Sequence, residues 1–505
     1  MQPDIQTEAP ARPARSPWIA LAVLMLPVLL VSVDNTVLSF ALPAISEALA
    51  PTGQQLLWIV DVYPLVLAGL LVPMGSLSDR LGRRRLLLVG GTGFTVVSAL
   101  AAFSPDATTL IAARALMGVF GAVLMPSTLS LIRNLFADPT RRRTAIAIWA
   151  AGFSAGAALG PVVGGLLLEN FAWGSVFLLA VPVMLPLLLL GPVLLPESRD
   201  PAPGPVDPLS VLLVLLAMTP FVYAIKTATA NGINLTVILC AAVAIAAGIA
   251  FVRRQLVRPE PMLDVTLFAR PVFSGAVTAN LLSVFSLVGF LYFVSQHLQL
   301  VSGHSPMNAA LMLVPGLVVT ILAGLLAVRL VRHLAPATVV TIALLLNAVA
   351  FAMVALTGSW GSDLMLVIAF ALLGAGVGAA ETISNDLILS AVPAHRAGAA
   401  SAISETAYET GAVLGTAVLG SLLNLAYRTR VELPVELTEA ERAAASETLG
   451  GATAVAERLP EAIAGPMLDS AHRAFDSGVV VTGGIGAALM VLAALIARRT
   501  LRGAR

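Results

Sequence analysis

Charge is what this 505-residue chain has least of: Asp, Glu, Lys and Arg make up 11% of it, against 58% hydrophobic residues. A soluble domain carries roughly 25% charged residues, so most of this chain is excluded from water. Lysine is nearly absent; Lys226 is the only one, and arginine replaces it elsewhere, a compositional hint of a GC-rich bacterial genome. The single cysteine, Cys240, rules out a disulfide framework and a cysteine metal site. No GxxxxGK[ST] loop is present, which excludes ATP hydrolysis by that route. No HExxH and no cysteine–histidine cluster is present either, so neither a metal nor a cofactor is expected. No nucleophile–base pair stands out, which argues against an enzyme. A net charge of +1 leaves no footprint for nucleic acid. The five histidines, His297, His304, His333, His395 and His472, fall near span ends or in loops and read as surface groups.

What remains is a series of apolar runs. Runs of about 20 residues recur from Trp18 to Leu501, each long enough to cross roughly 30 Å of hydrocarbon. Backbone in such runs must satisfy its own hydrogen bonds, which selects helices. The pattern predicts an all-α integral membrane protein with fourteen spans, starting near residues 18, 54, 86, 107, 143, 174, 208, 233, 270, 305, 337, 363, 396 and 478. Arginine orients them, because positive charge collects on the cytoplasmic side. With both ends inside, the inner loops hold Arg80, Arg83, Arg84, Arg85, Arg133, Arg141, Arg199, Arg253, Arg254, Arg258, Arg329 and Arg332, whereas the short outer loops hold one basic residue, Lys226. Residues 1–17 form a polar, proline-rich cytoplasmic tail; the run after them is too long for a cleaved signal.

The stretch RDPAPGPVD, Arg199 to Asp207, reads as a linker. It divides the chain into a six-helix bundle over 18–200, a linker with two additional helices over 201–262, and a second six-helix bundle over 263–505. Two six-helix halves suggest the internal duplication of secondary transporters, with a site near the midplane between them. One outer segment, 428–476, is out of scale and is expected to form a helical hairpin outside the membrane. Thr438 and Glu441 have the spacing of a capping box there, and Gly450-Gly451 reads as the break.

The chemistry lies in ionisable groups inside apolar spans, where each is costly. They are Asp34 in the first span, Asp61 in the second, Arg114 in the fourth, Glu381 and Asp386 in the twelfth, and Glu405 and Glu409 in the thirteenth. Six acids face one base, an interior that favours cations. Asp34, Asp61 and Arg114 lie at similar depths and could meet; one arginine cannot neutralise both acids, although a structural ion pair is the alternative role. Glu405 and Glu409 are four apart and share a helix face. Two carboxylates on one desolvated face repel, so at least one is expected to hold a proton near neutrality. Trp58, Tyr292 and Tyr408 are the aromatic side chains expected to touch cargo, because aromatic faces attract cations. The fifth span carries Gly152, Gly156, Gly160 and Gly164 at intervals of four, a face that lets another helix approach closely, with Pro161 permitting a kink. The loop after the second span, GSLSDRLGRRR (Gly75 to Arg85), places Asp79 among Arg80, Arg83 and the glycines Gly75 and Gly82, a charge network able to break and re-form.

These motifs resemble the major facilitator superfamily. GSLSDRLGRRR is similar to its loop signature between helices 2 and 3, and Arg114 in LIAARALMGVFGA to its helix 4 motif. GFSAGAALGPVVGG resembles the helix 5 motif of its antiporters, and VDNTVLSFALP (Val33 to Pro43) the helix 1 signature of the fourteen-helix drug:proton antiporters, the QacA-like exporters of quaternary ammonium compounds and dyes. The resemblance implies two bundles rocking in alternating access, with the insert helices at the side. It associates Asp34 and Asp61 with protonation and cation recognition, matches Glu405 and Glu409 to the acidic stretch of helix 13, and associates Arg114 with proton transfer and Gly160, Pro161 and Gly164 with control of leakage. Trp173-Gly174 departs from the family's frequent Trp-Arg pair.

The function these readings support is proton-coupled efflux of lipophilic, mainly cationic compounds such as ethidium, by a monomer in the bacterial inner membrane. The proton gradient is the expected driving force; protons, membrane lipid and small-molecule cations are the expected partners. The alternatives are an exporter of an endogenous lipid or siderophore-like product, and a non-transporting sensor or scaffold that uses the external hairpin.

Overall fold

The computed structural model describes residues 17–136, 138–199, 207–357, 362–392 and 397–503. The N-terminal tail, most of the proline-rich linker, His395 and Arg396 lie outside the described residues. Every regular element among the described residues is helical. The first group comprises α1 (Pro17–Leu49), α2 (Gly53–Leu81), α3 (Arg83–Ala101), α4 (Ala107–Leu135), α5 (Pro139–Asn170), α6 (Ser175–Leu178) and α7 (Ala180–Leu194), packed around one apolar core. Next come α8 (Pro208–Asn231) and α9 (Leu235–Val257), which pack on each other and leave most of their surface outward. The second core is built by α10 (Pro271–Gln296), α11 (Pro306–Leu330), α12 (Pro336–Thr357), α13 (Asp363–Ser390), α14 (Ala397–Gly415), α15 (Ser421–Arg430), α16 (Glu439–Glu447), α17 (Leu449–Ala456) and α18 (Glu461–Thr500).

Thirteen stretches among the described residues are long and apolar enough to cross a membrane, α6–α7 and α14–α15 each counting as one. The 32-residue α5 stands between two of them, so the architecture is consistent with fourteen spans. Local chemistry sets the helix starts. Thr52 and Gln55 form a capping box at α2, and Asp106, Asp138 and Asn234 cap α4, α5 and α9.

Two boundaries differ from the sequence reading. The helix that carries the final span starts at Glu461, not near 478, and runs for 40 residues. At 1.5 Å per residue that is about 60 Å, roughly twice the hydrocarbon thickness, so its first half stands outside the apolar zone, where polar residues had masked the helix. In the preceding segment the chain breaks at Thr448, not at Gly450-Gly451. Thr448 is extended (φ −148°, ψ 154°) and accepts a hydrogen bond from the Gly451 N–H at 3.0 Å. The two glycines sit inside α17 because there is no room for more: a Cβ on Gly450 would lie 2.7 Å from that of Ser46 in α1, and one on Gly451 2.3 Å from the Ala444 carbonyl.

The polar contacts between the two groups gather at the end carrying the α1–α2 connection. Ser295 donates to the Ser39 carbonyl (2.9 Å), Gln299 to that of Phe40 (3.3 Å), and the Gly53 N–H to Glu447 (3.1 Å).

Candidate functional site

Asp34 and Arg114 meet. Arg114, 1% exposed, donates from Nη1 to Asp34 Oδ2 at 2.6 Å and from Nε to the Ile59 carbonyl at 3.2 Å. Its guanidinium also lies over the Tyr63 ring, 4.6 Å from the centroid. Ile59 and Tyr63 are one turn apart, so one face of α2 holds the arginine head while α1 supplies the carboxylate.

Asp61 does not join them. It lies two residues from Ile59, about 200° around the helix, and faces away from Arg114. Its partner is Lys226, whose Nζ lies 2.7 Å from Asp61 Oδ2 and 4.1 Å from the Trp58 ring centroid. Lys226 is thus not in an outer loop. α8 continues to Asn231, ends at Gly232 (φ +71°), and holds Lys226 fully buried. Among the described residues the interior has two bases paired with its acids, not one. Sequence alone missed this partner because the cation and the acid are 165 positions apart; the only local signal was Asn231-Gly232, a stop that leaves Lys226 inside the helix.

The acids of the second group lie differently. Glu409 is 2% exposed and accepts a long hydrogen bond (3.5 Å) from the amide of Asn35, the neighbour of Asp34, across the junction between the groups. Glu405, one turn earlier on α14, is half-buried, as are Glu381 of α13 and Tyr408. These side chains are near enough to influence one another electrostatically, and Glu409 also feels Asp34 and Arg114. No ion pair joins Glu381, Glu405 or Glu409 to a base among the described residues. Asp386 stands apart: it lies five residues beyond Glu381, on the exposed face of α13. Tyr292 is buried near Asp61, with Gln296 and Asn424 beside its hydroxyl. Asn35 is a further participant that residue-by-residue reading passed over, since an amide in an apolar run carries no charge to flag it.

The glycine face of α5 packs on α1, the helix of Asp34. A Cβ on Gly152 would meet Met25 Cε at 1.9 Å, on Gly156 the Ser32 Cβ at 2.8 Å, on Gly160 Thr36 Oγ1 at 1.8 Å, and on Gly164 Val37 Cγ2 at 2.8 Å. Thr36 donates to the Ala157 carbonyl at 3.1 Å, and Pro161 lies inside the helix, one residue past Gly160. In the loop after α2, Asp79 pairs with Arg83 at 2.8 Å, and Gly82 takes φ +113°. The N–H groups of Arg84 and Arg85 both donate to Glu197, at 3.2 Å each, so the loop grips the end of the sixth span. Gly75 abuts Pro126 of α4, and Arg80 occupies the last turn of α2. Gly174 is explained by space: a Cβ there would lie 2.2 Å from the Ala102 carbonyl. His297 and His304 are not simple surface groups, for they contact Asp476 (3.1 Å) and Asp363 (2.6 Å).

Such a constellation, carboxylates and one arginine in apolar helices between two bundles, suits the binding of a cation or a proton away from water. The family model described as Major Facilitator Superfamily matches residues 24–416. The chain is 55% identical over 490 residues to the multidrug efflux pump LfrA of Mycolicibacterium smegmatis, covering 97% of both. It is 38% identical over 486 residues to the methyl viologen resistance protein SmvA of Salmonella typhimurium, covering 94% of this chain and 97% of that one. Among solved structures, a bacterial homolog of the human lysosomal transporter Spinster superposes with a TM-score of 0.66 at 18% identity, covering 96% of this chain and 97% of that one.

Proposed function

The chain belongs to the Major Facilitator Superfamily and is a multi-pass membrane protein, and from that premise we propose that it is a proton-coupled drug exporter. Its cargo is lipophilic cations, ejected from the cytoplasm across the bacterial inner membrane. The naming of LfrA for multidrug efflux and of SmvA for resistance to methyl viologen, a dication, supports the cargo class. The observation that carries the reading is the contrast in charge at the junction: Glu381, Glu405 and Glu409 are in no ion pair among the described residues, while Glu409 meets Asn35, the neighbour of an Asp34 that already has a base.

A carboxylate desolvated in a helix bundle is stable when it carries a proton or faces a cation. With no resident base, the α13–α14 acids are free to exchange one for the other. A proton from outside displaces the cargo in one conformation; loss of that proton to the cytoplasm restores the charge that attracts the next. Affinity for cargo then differs between the two conformations, which is the requirement for moving the equilibrium. Asn35, bonded to Glu409 and adjacent to Asp34, links the state of that acid to α1. Arg114 holds Asp34 in place.

Ethidium efflux by energised cells or everted vesicles tests this, with and without a protonophore, for the intact protein and for Glu405→Gln and Glu409→Gln. Protonophore-sensitive efflux that the variants lose is the expected result. If no dye moves and the variants match the intact protein, the cation reading fails, and an endogenous neutral or lipid cargo takes its place.

A further inference from the structure

The insert helices are the least integrated part of the fold, yet they contribute the one lysine of the chain to a fully buried site. Three bodies converge there. α2 brings Trp58, Asp61 and Leu65; α8 brings Val222 and Lys226; the second group brings Val413 of α14 and the π-helical turn Thr416–Gly420, whose Thr416 lies beside Asp61. Single π turns inside a helix mark functional positions often enough to draw attention here.

As a fastener, the Lys226–Asp61 pair is a poor choice. Both charges have to be stripped of water, a cost that their attraction seldom exceeds by much, and an apolar pair of similar size would hold α8 at least as well. Fastening of α8 to α2 is also provided elsewhere: Gln54 donates to Thr227 at 3.3 Å. A small cleft at the end carrying the α1–α2 connection reaches Lys226, lined also by Gln54, Thr229, Ser421, Asn424 and the exposed Arg428. Hydroxyl and amide groups there can take over an ammonium, and a flexible four-carbon stem can swing to them.

We infer that Lys226 is the resident counter-cation of Asp61, so that a proton or a positive charge on the cargo reaches this carboxylate only by displacing an ammonium tethered to the insert. The pair thereby limits how much positive charge the transporter accepts. With Lys226 in place Asp61 contributes no free negative charge; with it displaced or removed, the acid can face a second positive charge, such as the far end of a dication. This rests on the proposed export of cations.

The test compares efflux of a monocation, ethidium, with that of a dication, methyl viologen, in cells carrying the intact protein, Lys226→Arg, Lys226→Met, Lys226→Gln, Asp61→Asn and Lys226→Met/Asp61→Asn at matched membrane levels. The ratio of dication to monocation efflux rises at least about tenfold in Lys226→Met, since one unpaired buried charge is worth more than 1.4 kcal/mol, a factor of ten, to a cation beside it. Lys226→Arg keeps the ratio of the intact protein, and the double variant falls to that of Asp61→Asn. Lys226→Gln, which can still hydrogen-bond Asp61, raises the ratio in the same direction and reads the effect if the methionine variant fails to accumulate. An unchanged ratio in both neutral variants, with efflux of both dyes intact, overturns the inference and leaves a structural ion pair. If the intact protein exports neither cation, the proposed function itself fails, and the inference with it.

Discussion

The two halves treat their buried acids in opposite ways. In the first, Asp34 is held by Arg114 at 2.6 Å and Asp61 by Lys226 at 2.7 Å; in the second, Glu381, Glu405 and Glu409 lie together with no base in ion-pair contact among the described residues. Counting acids in the sequence therefore overstates the negative charge on offer. An acid with a resident cation is costly to disturb, whereas one without is stable only with a mobile proton or cation beside it. The difference separates residues whose loss should cost stability from residues whose loss should cost transport.

The largest effect on stability is expected at the first kind. Arg114→Met leaves Asp34 buried and unpaired, which costs about 3–5 kcal/mol. Thermal unfolding of the purified protein measures it, and Asp34→Asn/Arg114→Met should recover most of the loss. A similar melting temperature for Arg114→Met and the intact protein would remove the basis of the comparison. Next comes the packing that holds α1 in place. Gly160→Ala puts a methyl against Thr36 and the Val33 carbonyl, and overpacking of this kind costs about 1–3 kcal/mol.

Asp207, at the base of the insert, is a paired acid outside the spans. Hydrogen bonds from Arg254 and Ser210 and the Arg258 guanidinium hold its carboxyl well below the usual range. A depressed carboxylate stabilises the fold at pH values above its unfolded value of about 3.9, and that stabilisation is lost as pH falls through the lower folded value. Asp207→Asn should accordingly cost about 1–2 kcal/mol at neutral pH, the loss of charged hydrogen bonds, and the difference from the intact protein should persist down to about pH 4. The smallest change in stability belongs to Glu409→Gln, less than about 1 kcal/mol, because the amide can keep the Asn35 contact and no base is left unpaired. Efflux, by contrast, should be lost.

Much of the fold was legible in the sequence because crossing a membrane requires long apolar runs, and arginine marks their ends. The final helix escaped at its outer half, where Arg473, Asp469 and Glu461 make an amphipathic helix look like a loop. The glycine face of α5 was legible as a close approach, but its partner was not, since spacing on one helix says nothing of which neighbour fills it. The Asp34–Arg114 contact was within reach of a depth argument. The Asp61–Lys226 contact was not, because an isolated lysine near a span end normally snorkels to the interface, and only the packing of α8 on α2 shows where this one turns. Depth did separate Glu381 from Asp386, which lies nearer the cytoplasmic end, and the five residues between them also put them on different sides of α13, one inward and one exposed.

The most direct measurement of the central claim is proton release on cargo binding. Ethidium is added to the purified protein in weakly buffered detergent near neutral pH, and protons are followed with an indicator dye. The intact protein should release protons as the cation takes their place, and Glu405→Gln/Glu409→Gln should release none. Undiminished release in that double variant, or cation binding without release in the intact protein, would contradict the assignment of proton and cation exchange to these acids.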